Sequence, residues 1–156
     1  MKTLIVYYSR SGNTRGATNL ISSDLDCDVE ELIDTKSRSG PLGFIRAGRD
    51  ATGRKLTTLE AIKNDPGEYD LVVIGTPVWG GNMTPAVRTY ITENSDKFKK
   101  VAFFSTAGSS DSTKIFNEME EIIKQAPIAT LSIIGKEVKS GEYKTKIEEF
   151  TNEIKD

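Results

Sequence analysis

Histidine is absent from the sequence. A Ser-His-Asp triad, a Cys-His dyad, an H-E-x-x-H zinc site and any histidine acid or base are therefore excluded. Cysteine occurs once, as Cys27, so this chain by itself forms no intrachain disulfide, no C-x-x-C redox pair and no four-cysteine iron–sulfur site. Any redox work needs an organic cofactor. Long hydrophobic runs are also missing: none approaches the roughly 20 residues of a spanning helix. Met1-Lys2-Thr3 leads straight into Leu4-Ile5-Val6-Tyr7-Tyr8 without a cleavable signal pattern. A cytoplasmic protein with no membrane insertion is expected. Nor is there a large charge of either sign. With 21 basic and 23 acidic residues the net charge is −2, which argues against a nucleic-acid partner.

What is present suits one globular domain over residues 1–156. Its 37 % hydrophobic content is enough for one core. Five apolar, β-rich stretches, at 3–8, 28–33, 70–75, 100–105 and 128–134, alternate with helical patterns at 14–23, 42–51, 84–94, 112–125 and 142–155. Ile115, Met119, Ile122 and Ile123 share one helical face, as do Tyr143, Ile147, Phe150 and Ile154. Strand–helix alternation with long crossovers implies parallel pairing and right-handed connections. The expected fold is α/β: a three-layer α/β/α sandwich around a five-stranded parallel sheet. The continuous apolar runs Leu71-Val72-Val73-Ile74 and Val101-Ala102-Phe103-Phe104 read as central strands buried on both faces.

Residues 35–56 stand apart, with six basic residues (Lys36, Arg38, Arg46, Arg49, Arg54, Lys55) against Asp50 alone. The plain reading is a solvated cover over one sheet face, docked by Leu42, Phe44 and Ile45; the sharper one is a basic docking rim. Gly48-Arg49-Asp50-Ala51-Thr52-Gly53-Arg54 only superficially resembles a nucleotide P-loop. It lacks the required Lys, the following Ser or Thr and a preceding buried strand.

Ligands of open α/β sheets bind at the carboxyl ends of the strands. After the first strand comes Ser9-Arg10-Ser11-Gly12-Asn13-Thr14, which offers hydroxyls, an amide and the free N–H groups of a helix start to an anion. One glycine, where a dinucleotide fingerprint needs three, favours a monophosphate. After the third strand comes Gly75-Thr76-Pro77-Val78-Trp79-Gly80-Gly81-Asn82-Met83, where Trp79 can cover a planar ligand. After the fourth comes Ser105-Thr106-Ala107-Gly108-Ser109-Ser110, whose small side chains leave room for that ligand's edge.

These three loops resemble those of flavodoxins and the wider flavodoxin-like FMN proteins, in their short-chain form, and the resemblance spans nearly the whole chain. It implies FMN as cofactor, with its phosphate on Ser9, Arg10, Ser11, Gly12, Asn13 and Thr14. Thr76, Pro77, Val78, Trp79, Gly80, Gly81 and Asn82 would cover one ring face, and Ser105, Thr106, Ala107, Gly108 and Ser109 would lie along the other side. It also implies strand order 2-1-3-4-5 and a Gly80-Gly81 peptide that turns over when the flavin is reduced. Two departures stand out: the third loop has no aromatic residue, and neither ring loop has an acid before Asp111.

The function so implied is electron transfer between cytoplasmic redox partner proteins, with no catalytic residue and no metal, since the flavin itself does the chemistry. The alternative is hydride transfer from a reduced nicotinamide to a quinone, because Gly-Thr-Pro and Gly-Asn-Met around Trp79 are also similar to flavodoxin-like quinone reductases. A phosphoacceptor receiver would need an Asp where Gly75-Thr76 stands, and a low-molecular-weight phosphatase an Arg where Ile33 follows Cys27.

Overall fold

The computed structural model describes residues 1–109 and 111–156; Ser110, included in the third loop above, lies outside the described residues. Its elements are β1 (Thr3–Tyr7), α1 (Asn13–Asp24), β2 (Cys27–Glu31), α2 (Gly40–Thr52), β3 (Leu71–Trp79), β4 (Asn82–Met83), α3 (Pro85–Asn94), β5 (Val101–Ala107), α4 (Thr113–Ile123), β6 (Thr130–Ile134), α5 (Gly135–Ser140) and α6 (Tyr143–Lys155). Five strands pair in parallel in the order β2-β1-β3-β5-β6. This is the expected flavodoxin-like order of parallel strands, with β4 added as a two-residue antiparallel partner of β3.

Strand side chains alternate between faces, and two cores result. Leu4, Val6, Val72, Ile74, Val101 and Phe103 meet Val87, Tyr90 and Ile91 of α3 and Ile115, Met119 and Ile123 of α4. On the other face Ile5, Tyr7, Leu71, Val73, Ala102 and Phe104 meet Ala17 and Ile21 of α1 and Ile147, Phe150 and Ile154 of α6. A β-carbon at Gly75 would come within 2.1 Å of the Phe104 ring, so glycine there lets the aromatic ring lie against the backbone of β3.

Three local expectations are corrected. β3 continues through Thr76, Pro77 and Val78 to Trp79, where a loop was expected, because β5 keeps pairing with it as far as Pro77 opposite Thr106 and β4 then pairs with Val78 and Trp79. The last helical pattern is α6, but a further short helix, α5, stands between it and β6, with Glu137 accepting the Ile134 N–H at 2.9 Å. Burial pushes the Glu137 carboxyl up, but that N–H and the Lys146 ammonium 3.0 Å away outweigh it and hold the group below its usual range.

The third correction concerns α2. Leu42, Phe44 and Ile45 do not dock it; they are 78 %, 64 % and 66 % exposed. The buried stripe is Gly43, Ala47, Asp50 and Ala51, spaced i, i+4, i+7 and i+8, and the three large apolar residues fall outside that stripe. Gly43 allows the close approach, since a β-carbon there would sit 2.4 Å from the Arg38 carbonyl carbon. Buried Arg38 completes the anchor by pairing with Asp34 at 3.1 Å and Asp50 at 2.6 Å. The hydrogen bond from Arg38, with the bond from Arg49 and the two guanidinium charges, outweighs burial and holds the Asp50 carboxyl below its usual range.

Candidate functional site

A cleft of about 520 Å³ opens at the carboxyl ends of β1, β3 and β5, within the size range of small-molecule sites. Ser9, Arg10, Ser11, Gly12, Asn13 and Thr14 line it together with Pro77, Val78, Trp79, Thr106, Ala107 and Gly108. Three loops far apart in sequence thus converge on one volume.

The first loop is shaped as a donor nest. Gly12 takes φ 99° and starts α1 with no cap from its own side chain, which leaves the N–H groups of Asn13 and Thr14 available to an anion. Ser9 Oγ accepts the N–H groups of Gly12 at 3.1 Å and Arg15 at 3.3 Å. With both lone pairs of that hydroxyl engaged, its proton is free to be donated. Thr14 and Thr106 share a 2.8 Å hydrogen bond in which one hydroxyl donates, so the pair likewise retains one proton to give. Arg15 is turned away to Glu31, whereas Arg10 lines the cleft and donates from Nε to the Arg38 carbonyl at 2.8 Å.

The second wall is half-buried Trp79 at the end of β3. Its ring meets Tyr8 edge-on, with centroids 5.5 Å apart at 84°, which fixes the indole plane. Burial, with the Asp34 charge, pushes the Tyr8 phenol up to about 12, so this support stays neutral. Thr76 lies beneath the wall: its hydroxyl donates to the Pro77 carbonyl at 2.9 Å and accepts the Thr84 N–H at 3.2 Å. Gly80 and Gly81, at φ 56° and 76°, form the two-residue turn from β3 to β4, and Asn82 donates back to the Gly80 carbonyl at 2.9 Å. Thr76, Gly80, Gly81 and Asn82 all lie outside the cleft lining.

The third wall rests on a buried hydroxyl chain, Ser105 to Ser112 at 2.6 Å and Ser132 to Ser112 at 3.2 Å. Ser105 therefore supports the loop from below, and Ser109 is exposed; neither lines the cleft.

The sequence reading missed a fourth wall. Leu20 of α1, Ile133, and Gly135, Val138, Lys139 and Tyr143 from α5 and the start of α6 also line the cleft. Gly135 is tied to the third loop by its N–H bond to the Gly108 carbonyl at 3.1 Å. Tyr143 supplies an aromatic ring that the third loop lacks. Gly135, just past the last strand, and the Gly141 break at φ 83° were the available signals for this short helix.

The residues present fit a planar ligand carrying a phosphate. A donor nest lies at one part of the cleft and a fixed indole at another, and Lys139 and Arg10 are cations in its lining.

No family model matches the chain, and neither does any curated protein. Solved structures do. A flavoprotein from Lactobacillus acidophilus, crystallised in complex with FMN, is 25 % identical with a TM-score of 0.70, covering 89 % of this chain and 97 % of its own. A protein of Bacteroides eggerthii aligns at 18 % identity and TM-score 0.75 over 96 % of this chain and 97 % of its own. A flavodoxin from Streptococcus pneumoniae does so at 16 % and 0.62, over 98 % and 97 %. The latter two likenesses concern the fold alone. Strand order, converging loops and these likenesses together show that the chain has a flavodoxin-like fold.

Proposed function

We propose that the chain binds FMN noncovalently and transfers electrons between redox partners of the cytoplasm. The observation that carries this reading is the pairing of the uncapped, Gly12-shaped start of α1 with Trp79 across one cleft. Support comes also from the Lactobacillus acidophilus flavoprotein, whose structure holds FMN. In the described residues no helix is long and apolar enough to cross a membrane.

Each wall has its own work. The N–H groups of Asn13 and Thr14, with the free protons of Ser9 and of the Thr14–Thr106 pair, would hold the phosphate. Arg10 and Lys139 would add charge, while Trp79 would cover one ring face and hold off water. Bound FMN would supply the redox chemistry, and the chain would tune it by stacking, hydrogen bonds and charge.

The test is titration of the purified protein with FMN and riboflavin, read by flavin fluorescence and visible absorption. FMN is expected to bind at least tenfold more tightly, a difference of about 1.4 kcal/mol or more. The Ser11→Ala, Thr14→Ala double variant is expected to lose most of that difference. Equal affinity for the two flavins, or an unaffected double variant, overturns the phosphate assignment. Brisk hydride transfer from reduced nicotinamide to a quinone would replace the carrier role with the enzyme one.

A further inference from the structure

The cleft leaves residues 35–56 unused, and they make an unusual surface. Six basic residues against one acid give this segment +5 in a chain of −2, so the remaining residues carry −7. Arg38 is buried with Asp34 and Asp50, and Arg54 pairs with Glu118 at 2.8 Å, but the helix itself presents no exposed carboxylate beside Arg46 and Arg49. On the outward face of α2, Leu42, Ile45, Arg46 and Arg49 fall at i, i+3, i+4 and i+7, a single stripe mixing aliphatic and guanidinium groups.

We propose that this face of α2 docks an acidic protein surface belonging to an electron-exchange partner. The proposal rests on the electron-transfer reading given above.

Position supports it. Exposed Phe44 lies under the Arg10 guanidinium, 5.2 Å from the ring centre, and Arg10 lines the cleft. At the other end of the helix, Thr52 reaches the Gly80 turn beside Trp79. A protein seated on α2 would thus lie over the rim of the cleft. Rigidity supports it as well. The buried Arg38 pairs and the close approach at Gly43 hold α2 in place before any partner arrives, so little ordering is needed on docking.

Charge chooses the occupant. An isologous dimer through this face would set Arg46 and Arg49 of one copy against those of the other with no exposed acid of α2 between them, which disfavours a second copy. A helix lying in a membrane interface segregates its apolar and basic sides. Here Arg46 and Arg49 interrupt the same stripe as Leu42 and Ile45, the mixture of Arg and large apolar residues typical of protein interfaces. An acidic surface complements the cations and covers the aliphatic groups together.

The test uses the flavin-loaded chain labelled with 15N, titrated with cytochrome b5, a small acidic haem protein, and separately with cytochrome c, a basic one. Amide shifts are expected in α2 and at Arg10 with the acidic protein only, and the apparent Kd is expected to weaken roughly tenfold or more from low to high salt. Leu42→Ser with Arg46→Glu is expected to weaken docking by a similar factor while the flavin spectrum stays unchanged. Because docking is read from backbone amides, the flavin spectrum separately reports whether the FMN reading stands. Equal or tighter binding of cytochrome c, no binding of cytochrome b5, or shifts confined to other surfaces would overturn the proposal. Binding to phosphatidylglycerol vesicles that the double variant abolishes would also overturn it, as would a dimer that the variant dissociates.

Discussion

At the scale of single residues the sharpest dependence is on Arg38. Its guanidinium is the shared partner of Asp34 and Asp50, and all three side chains are nearly inaccessible. Removing one member of a buried ion pair leaves its partners uncompensated, so Arg38→Ala is expected to cost about 3–5 kcal/mol in urea unfolding. The acid side follows from Asp50. Its carboxyl is held below the ordinary range, chiefly by the Arg38 hydrogen bond, so the folded chain takes up this proton less readily than the unfolded one. The stabilisation is complete above the ordinary carboxylate pKa of about 3.9 and is lost as pH falls through the lower folded value. Asp50→Asn should therefore unfold at lower urea than the parent at neutral pH, and the gap should narrow below about pH 4. A gap that stays constant with pH would remove Arg38–Asp50 as its source.

At the scale of elements the β3–β4 turn is where backbone conformation decides stability. Gly81 takes φ 76°, and a β-carbon there would have no neighbour within 4 Å, so a substitution meets backbone strain and no clash. Gly81→Val is expected to cost about 1–2 kcal/mol, and Gly81→Asn clearly less, because asparagine tolerates the left-handed region. Equal urea midpoints for the two variants would contradict this. The same element shows what pattern reading catches and what it misses. Alternation and helical spacing located the five long strands and every helix but α5, because both are written in the chain's own side chains. The extension of β3 to Pro77 depends on β5 alongside and its last step to Trp79 on β4, and the α5 wall depends on Glu137, Lys146 and the contact of Gly135 with Gly108, pairings that no local periodicity marks. The outward turn of Leu42 and Ile45 was legible in principle, since Gly43, Ala47, Asp50 and Ala51 already have helical spacing. Small residues and a buried ion are weaker signals than large apolar side chains, and they were outweighed.

At the scale of the whole molecule, the cleft is assembled from parts that only folding brings together: the start of α1, the ends of β3 and β5, and the α5–α6 corner. These parts ride on the two cores flanking one sheet, so a ligand bridging them acts on the folded state as a unit. An unfolded chain offers neither the Gly12 nest nor the fixed Trp79 plane. FMN held there should therefore stabilise by mass action, about 2.7 kcal/mol when free FMN is 100-fold above its Kd. For a chain of this length that corresponds to a rise in Tm of about 5–10 °C. Riboflavin at the same concentration should raise Tm much less, because it engages Trp79 without the donors of the first loop. Thermal unfolding followed by circular dichroism, with each flavin added in turn, measures the difference. If FMN leaves Tm unmoved while still colouring the protein, it does not bridge these walls, and the cleft is not where it binds.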